Sequence, residues 1–408
     1  MSIGEAGRKG DTVRSDCFVR IELKDKVGVN LSVNSKVEAM YGDRIRALIL
    51  EGLKQLGIGN CDCSVEDHGA LDFVLAARLE AAAKRAGVPK EKEFLLPAHP
   101  STLKPTTRER LRRSRLYLPG NEPKFFLNAS LHKPDGVILD LEDSVSPLEK
   151  DAARLLVRNA LRAVDFGDCE RMVRINQGAL GVEDLEAIVP HNVHVILIPK
   201  VETGEHVRSV DSLAEKIRKE KGLEKPCFLM PIIESALGCF EATYIASATS
   251  NVVALTIGLE DYTADIGAER TQEGTESFWA RSVVVNAARA AQVTPIDSVF
   301  SDVTDMDGLM KSCLESKAMG FEGKGCIHPR QIGVVHEGFA PKEKEIEKAK
   351  KIVLAFEDAQ KKGLGVVSLG SKMIDPPVVK RAVRTADLAL KLGRINENWR
   401  EEVKDGKK

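Results

Sequence analysis

The chain has 408 residues, 43% of them apolar and 30% charged, and its 60 basic against 61 acidic side chains leave a formal charge of -1. One typical domain takes about 150 residues, so two domains, or one barrel with an appendage, are expected. So balanced a charge offers no field to nucleic acid or anionic lipid, and no run approaches the roughly 18 apolar residues that cross a bilayer, so neither is expected as a partner.

In chain order, the opening stretch MSIGEAGRKGD carries charge and no apolar h-region, which predicts no secretory signal and a reducing cytoplasm. The cysteines, at positions 17, 61, 63, 169, 227, 239, 313 and 326, are scattered without a C-x-x-C pair or a short-range Cys/His cluster, which argues against disulfide and zinc frameworks. Val19, Ile21 and Leu23 alternate with charged residues and Val29, Leu31 and Val33 repeat the period, predicting two half-buried strands. Val37, Tyr41, Ile45, Leu48, Ile49, Leu53 and Leu56 recur with helical spacing and stop at Gly57, a helix-ending signal. A short strand near Cys61 to Val65, both thiols on one buried face, and a helix from Ala70 to Arg85 complete a small α+β domain over 11–87.

Residues 88–111 carry Pro89, Pro97, Pro100 and Pro105 among polar side chains, a composition that resists helix and reads as an extended linker. Beyond it the pattern changes to eight short apolar runs, at 115–119, 136–142, 171–176, 193–200, 227–234, 252–260, 295–300 and 323–328, separated by helical stretches. Eight evenly spaced β/α units predict a TIM (β/α)8 barrel over 112–340, with an open doubly wound sheet as the competitor.

Chemistry in such a barrel gathers where the strands end. Those ends are rich in carboxylates: Asp140, Glu142 and Asp143, then Glu202, Glu234, Glu260 and Asp261, and Asp302. Acids around one cavity repel unless a cation lies among them, and oxygen ligands without paired His or Cys suit Mg²⁺. Glu234 and Asp261 stand at adjacent strand ends and are the candidate metal ligands, whereas Glu142 and Asp143 are expected to pair with Arg113, Arg174 or Lys200. Each acid taken alone is as readily a surface charge or an ion-pair partner. Arg174 offers a rigid fork suited to a substrate carboxylate, its alternative being a salt bridge to Glu142 or Asp143. His328 reads as a hydrogen-bonded structural histidine, His68, Ser144 and Ser146 lack triad partners, and no G-x-x-x-x-G-K-[ST] or G-x-G-x-x-G loop is present.

Together these strand-end motifs carry a resemblance. RRSRLYLPGNEP at 112–123, ILDLEDSVSPLEKDAAR at 138–154, VRIN at 173–176, IPKVE at 198–202, PIIES at 231–235, IGLEDYTADIG at 257–267 and IHPRQI at 327–332 resemble the citrate lyase beta subunit, in the HpcH/HpaI aldolase and malyl-CoA lyase superfamily of TIM barrels. The resemblance implies Mg²⁺ on Glu234 and Asp261 and a substrate carboxylate on Arg174. The first domain, through NSKVE at 34–38, YGDRIR at 41–46 and VEDHGALDFVLAARLEAA at 65–82, is similar to the citrate lyase acyl carrier protein, whose members carry phosphoribosyl-dephospho-CoA on a serine near the N-terminus. Ser15 is the one serine in TVRSDCFVRI, one position past the usual site when Asp16, Arg20 and Ile21 are aligned. Within the C-terminal segment, 341–408, VVSLGSKMIDPPVVKRAVRTADLA at 366–389 resembles the family's C-terminal helical lid, in which the aspartate matching Asp375 reaches a neighbouring subunit, implying a homo-oligomer, a trimer or a hexamer. Read from its residues alone, Asp375 is a helix cap.

The expected reaction is cleavage of a citryl thioester, presented by the fused carrier, to oxaloacetate and an acetyl thioester. Glu142, Arg174 and Asp375 are the expected catalytic residues, Arg113 and Arg174 bind substrate, and backbone N–H groups near Leu259 and Glu260 support the thioester enolate. The family's alpha subunit, a citrate:carrier transferase, is the implied partner. The alternatives are a lyase acting on free malyl-CoA or citramalyl-CoA, and a carrier or scaffold with an inactive barrel.

Overall fold

Alternation of side chains builds the first sheet. In the computed structural model, which describes residues 2–26, 28–361, 363, 367–369 and 372–404, strands β1 (Ile3–Gly7), β2 (Cys17–Leu23) and β3 (Val29–Ser35) precede helix α1 (Glu38–Gln55), β4 (Cys61–Asp67) and α2 (Asp72–Arg85). The strand order is β1-β2-β4-β3, and the register sets Val19 against Val65 and Ile21 against Cys63, so one face is apolar up to its end, where Asp67 stands opposite Cys17. Both thiols of β4 are buried on it, as the alternation predicts. Strand β1 lies where no strand is expected from the sequence. It fits through its glycines: a Cβ on Gly4 would sit 1.9 Å from the Ala82 carbonyl oxygen, and one on Gly7 (φ +95) equally close to that of Cys17.

The Pro-rich segment is irregular rather than extended throughout, with a 3-10 turn at Pro100–Leu103, and it is fastened at several points to the folded residues on either side of it. Phe94 is buried and its N–H donates to Glu80, the Leu96 carbonyl accepts from Arg162, and the carbonyls of Thr102 and Lys104 accept from Arg171. Residues up to Val335, carrier-like domain and barrel together, make one compact unit, and those from His336 onward a second.

The barrel has eight parallel strands: β5 (Ser114–Pro119), β6 (Gly136–Asp140), β7 (Glu170–Arg174), β8 (Val195–Ile198), β9 (Phe228–Ile233), β10 (Ala254–Ile257), β11 (Thr294–Ile296) and β12 (Lys324–Cys326). They pair in sequence order, β12 adds to β5, and a parallel bridge between Asp297 and Lys324 closes the ring. Ile138, Met172, Val195, Leu197, Met230, Ile232, Ala254 and Ile296 fill the interior. After β5 come α3 (Pro123–Phe126), then α4 (Lys150–Ala163), α5 (Gly178–Ile188), α6 (Gly204–Glu220), α7 (Ala236–Ala246), α8 (Leu259–Asp265), α9 (Phe278–Ala290), α10 (Met306–Met319) and α11 (Arg330–Phe339). Thr203 and Ser235 cap α6 and α7 by accepting from His206 N and Gly238 N, which fixes the chain just past β8 and β9, where site residues stand.

In the second unit α12 (Glu343–Lys361), the hairpin β13 (Val367–Leu369) and β14 (Lys372–Ile374), α13 (Pro376–Lys391) and α14 (Trp399–Lys404) share a core of Ile352, Val353, Ile374, Val379, Ala382 and Trp399. Among the described residues no helix is long and apolar enough to cross a membrane.

Candidate functional site

The strand ends converge on a cavity of about 420 Å³ whose lining includes Arg115, Tyr117, Asp140, Asp143, Arg174, Glu234, Leu259, Glu260 and Asp261. Five of the residues expected to act, Arg174, Glu234, Leu259, Glu260 and Asp261, are thereby brought to one place.

Glu234, one residue past β9, is 5% exposed. One carboxylate oxygen accepts from the Lys200 N–H at 2.7 Å, and the other faces Gly258, where a Cβ would come within 2.5 Å of it. Lys200 holds a left-handed backbone (φ 50), strain of a kind that surrounding bonds must sustain, and this turn aims its N–H at Glu234. Burial, seconded by the charges of Asp261 and Glu142, pushes the Glu234 carboxyl up to about 7 against the pull of that N–H. Asp261 is more open, 42% exposed, and lies 3.6 Å from the Lys200 ammonium. Burial disfavours the Lys200 charge, but Glu142, Asp143 and Asp261 outweigh it and hold the ammonium above the ordinary lysine range.

No group of three or more His, Cys, Asp or Glu side chains arranged to hold a metal occurs among the described residues, so a cage made wholly of protein is not on offer. A desolvated carboxylate with a second acid beside it does fit Mg²⁺, which keeps waters and commonly takes one or two carboxylates.

Arg174 ends β7 over the Tyr117 ring at 5.4 Å. Its Nε and Nη2 donate to the two oxygens of Asp140 at 2.6 and 2.7 Å, and Nη1 reaches Glu142 and Asp143, each at 3.0 Å. Arg174 thus forms the salt bridges of its alternative reading, and it also lines the cavity. The bidentate edge is taken by Asp140, leaving Nη1 as the end open to a ligand in exchange for Asp143. Glu142 is not part of the lining; it is clamped between Arg174 and the Lys200 ammonium at 3.0 Å, so it orients two cations.

Two expectations need correction. Arg113 does not reach the mouth: it precedes β5, at the opposite end of the barrel, where its N–H, Nε and Nη2 all bind Asp135. The inward-facing arginine is Arg115, two residues on, which is absent from the residues expected to act although the alternation Arg115, Tyr117, Pro119 points to it. The Leu259 N–H is not a free donor either, since it donates to Ser298 Oγ at 3.2 Å. The Glu260 carboxylate pairs with Arg270.

His328 is not among the residues lining the cavity, and its Nδ1 accepts from Arg330 N. Ser15 lies in the carrier-like domain, in a bend with φ 55, its N–H donating to the His68 carbonyl at 3.0 Å. Asp375 precedes α13 in the second unit, exposed; its side chain makes no cap bond, while its carbonyl accepts from Val378 and Val379.

Residues 113–329 match the family model described as HpcH/HpaI aldolase/citrate lyase, and residues 8–86 match one described as malonate decarboxylase delta subunit (MdcD), an acyl-carrier family. The citrate lyase subunit beta of Leuconostoc mesenteroides subsp. cremoris is 41% identical over 286 residues, 69% of this chain and 94% of that protein. Human mitochondrial citramalyl-CoA lyase is 35% identical over 290 residues, covering 68% of this chain and 85% of that one. Among solved structures, protein CitE from Mycobacterium tuberculosis, in complex with magnesium, acetoacetate and coenzyme A, superimposes with a TM-score of 0.56 at 28% identity over 69% of this chain and all of that one. The chain belongs to the HpcH/HpaI aldolase/citrate lyase family, with an acyl-carrier-like domain at its N-terminus.

Proposed function

We propose that the barrel is a Mg²⁺-dependent carbon–carbon lyase that cleaves a citryl thioester to oxaloacetate and an acetyl thioester, and that the N-terminal domain is the thioester carrier. One observation bears most of this reading: a buried and an open carboxylate, Glu234 and Asp261, face a fixed guanidinium, Arg174, across one cavity. Glu234 and Asp261 would hold Mg²⁺, which would supply Lewis-acid polarisation of the oxygen that becomes the ketone. Arg174, its plane set by Asp140, orients the oxo-acid carboxylate through Nη1. Glu142 positions Arg174 and Lys200. Asp375, supplied by a neighbouring subunit of a trimer or hexamer, takes the tertiary hydroxyl proton as the carbon–carbon bond breaks and returns it to the enolate carbon, a role resting on the family resemblance.

The carrier reading is supported by how the Ser15 turn is held. Its neighbour Asp16 binds Arg78 through both oxygens, and Arg78 Nη2 donates to the carbonyl of Asn121, in the loop leaving β5 at the mouth end. An arm attached at Ser15 would start beside its own barrel.

Purified protein is expected to release oxaloacetate from a citryl thioester only with Mg²⁺. Glu234→Gln should lower kcat/KM by about a hundredfold or more, because several kcal/mol of charge stabilisation goes with the metal; full activity in that variant would sink the assignment. The similarity to citramalyl-CoA lyase favours a second reading, a free acyl-CoA substrate. Intact mass after co-expression with a prosthetic-group transferase separates the two: added mass lost in Ser15→Ala supports the carrier, and an unmodified chain supports free CoA. Turnover from citrate itself would also need a citrate:carrier transferase subunit.

A further inference from the structure

Most buried guanidinium groups in this protein have a strong acceptor. Arg78, Arg112, Arg158 and Arg281 each hold a carboxylate through two nitrogens, those of Asp16, Glu170, Glu80 and Asp297. Arg171, without a carboxylate, takes the Thr102 and Lys104 carbonyls at 2.8 and 3.0 Å. Arg115 has neither. It is 1% exposed, with Nη1 3.1 Å from the Met230 thioether and Nη2 3.5 Å from both Thr256 Oγ1 and the Asp297 carbonyl, the far limit of a hydrogen bond. Its Nε has no partner among the described residues.

A guanidinium left so poorly matched in an apolar interior is costly, and the cost persists only where something offsets it. Arg115 differs from the others in its position, on the wall of the cavity. It lies on the same inward face of β5 as Tyr117 and Pro119 but deepest from the mouth. The cavity is thus polarised: acids with their cations at the rim, one unmatched cation at the floor. A ligand suited to it carries an anionic group at its leading end.

Resting on the lyase reading above, we propose that Arg115 receives the second carboxylate of a dicarboxylic oxo acid, the one remote from the rim, and so selects dicarboxylic over monocarboxylic substrates. Its neighbours Met230 and Ile232 are apolar and Thr256 and Tyr117 offer only neutral hydroxyls, so the charge that would meet that carboxylate is concentrated in one side chain. A hydrogen-bonded charge pair of this kind is worth roughly tenfold or more in affinity.

The test is calorimetric titration of the full chain, with Mg²⁺, by oxaloacetate, by 2-oxobutanoate, in which a methyl replaces the remote carboxylate, and by malonate, a dicarboxylate that is not an oxo acid. Wild type should prefer oxaloacetate to 2-oxobutanoate by about tenfold or more, and Arg115→Met should erase the preference while binding 2-oxobutanoate within about twofold of wild type. The free Arg115→Met protein should melt no lower than wild type, whereas a purely structural arginine would lower the melting temperature. If that variant does not fold, Arg115→Gln, which removes the charge but keeps a polar chain, gives the same readout. Malonate separates the two ideas: binding to wild type but not to the variant, without any oxaloacetate binding, would remove the lyase reading and leave the floor site standing. Equal discrimination in wild type and variant, or no dicarboxylate binding to wild type, overturns the proposal.

Discussion

Arg174 illustrates why a conservative replacement need not be mild. Its planar fork satisfies Asp140 along one edge and still presents Nη1 to the cavity, a division of donors that a single ammonium cannot reproduce. Arg174→Lys is expected to lower kcat/KM for the thioester by about a hundredfold while leaving the chain folded, measured as initial rates beside a melting curve. A second side chain governs stability rather than catalysis. His194 is buried, its Nδ1 accepting from Arg171 N, and burial, then the Arg171 charge, lowers its pKa from 6.5 to about 3. Folding therefore favours the neutral ring. The stability this contributes is whole above the unfolded value near pH 6.5 and is lost as pH falls toward 3, at up to about 1.4 kcal/mol per pH unit. His191, lowered to about 3 by burial and by Arg162, adds a parallel loss. Denaturant titrations between pH 6.5 and 4 should show His194→Gln with a slope shallower than wild type by up to about 1.4 kcal/mol per pH unit; an unchanged slope would contradict the assignment. Glu234, Asp261 and Arg174 are legible in the sequence because strand-end residues converge whatever the detailed packing. Arg113 is easily mistaken for Arg115 because three arginines crowd 112–115, and only the inward register of β5 tells which one enters the barrel.

At the level of elements, the eight barrel strands are legible for a physical reason: strands of a parallel sheet covered on both faces are apolar without interruption, and such runs stand out between amphipathic helices. β1 has no such signal. Its sequence, IGEAG, offers only Ile3 and Ala6 as apolar side chains, and its glycines are there to let α2 and β2 approach, a requirement visible only once the partners are in place. Gly4→Ala is accordingly expected to cost about 3 kcal/mol, since the clash is with backbone of α2 that has no room to retreat. Gly59→Ala, with open space around the new methyl, should stay within about 0.5 kcal/mol of wild type. Urea unfolding of both variants compares them directly, and equal midpoints would show that β1 is not packed as described.

For the unit running to Val335, the joint between the carrier-like domain and the barrel is the least legible feature from sequence. Pro-rich composition at 88–111 reads as a spacer, yet what fastens that segment is a set of acceptors and donors far away in sequence. The joint itself is ionic and buried. Glu80 on α2 is 0% exposed and accepts from Arg158 on α4 at 3.0 and 2.7 Å, from Phe94 N at 2.9 Å and from the Lys84 ammonium at 3.1 Å. Nearby, Arg85 binds Asp151, and Asn159 donates to the Phe73 carbonyl. Removing one partner of a buried pair strands the other charge, at a cost of about 3–5 kcal/mol, whereas removing both costs far less. Arg158→Met should therefore split the unfolding of this unit, the carrier-like domain melting ahead of the barrel, while Glu80→Leu combined with Arg158→Met should restore most of the lost stability. Calorimetry of the full chain, with hydrogen exchange to assign each transition, decides the matter. If Arg158→Met unfolds carrier and barrel together with no loss of midpoint, the ion pair does not join them, and the position of the Ser15 turn beside the mouth loop must depend on Arg78 and Asp16 alone.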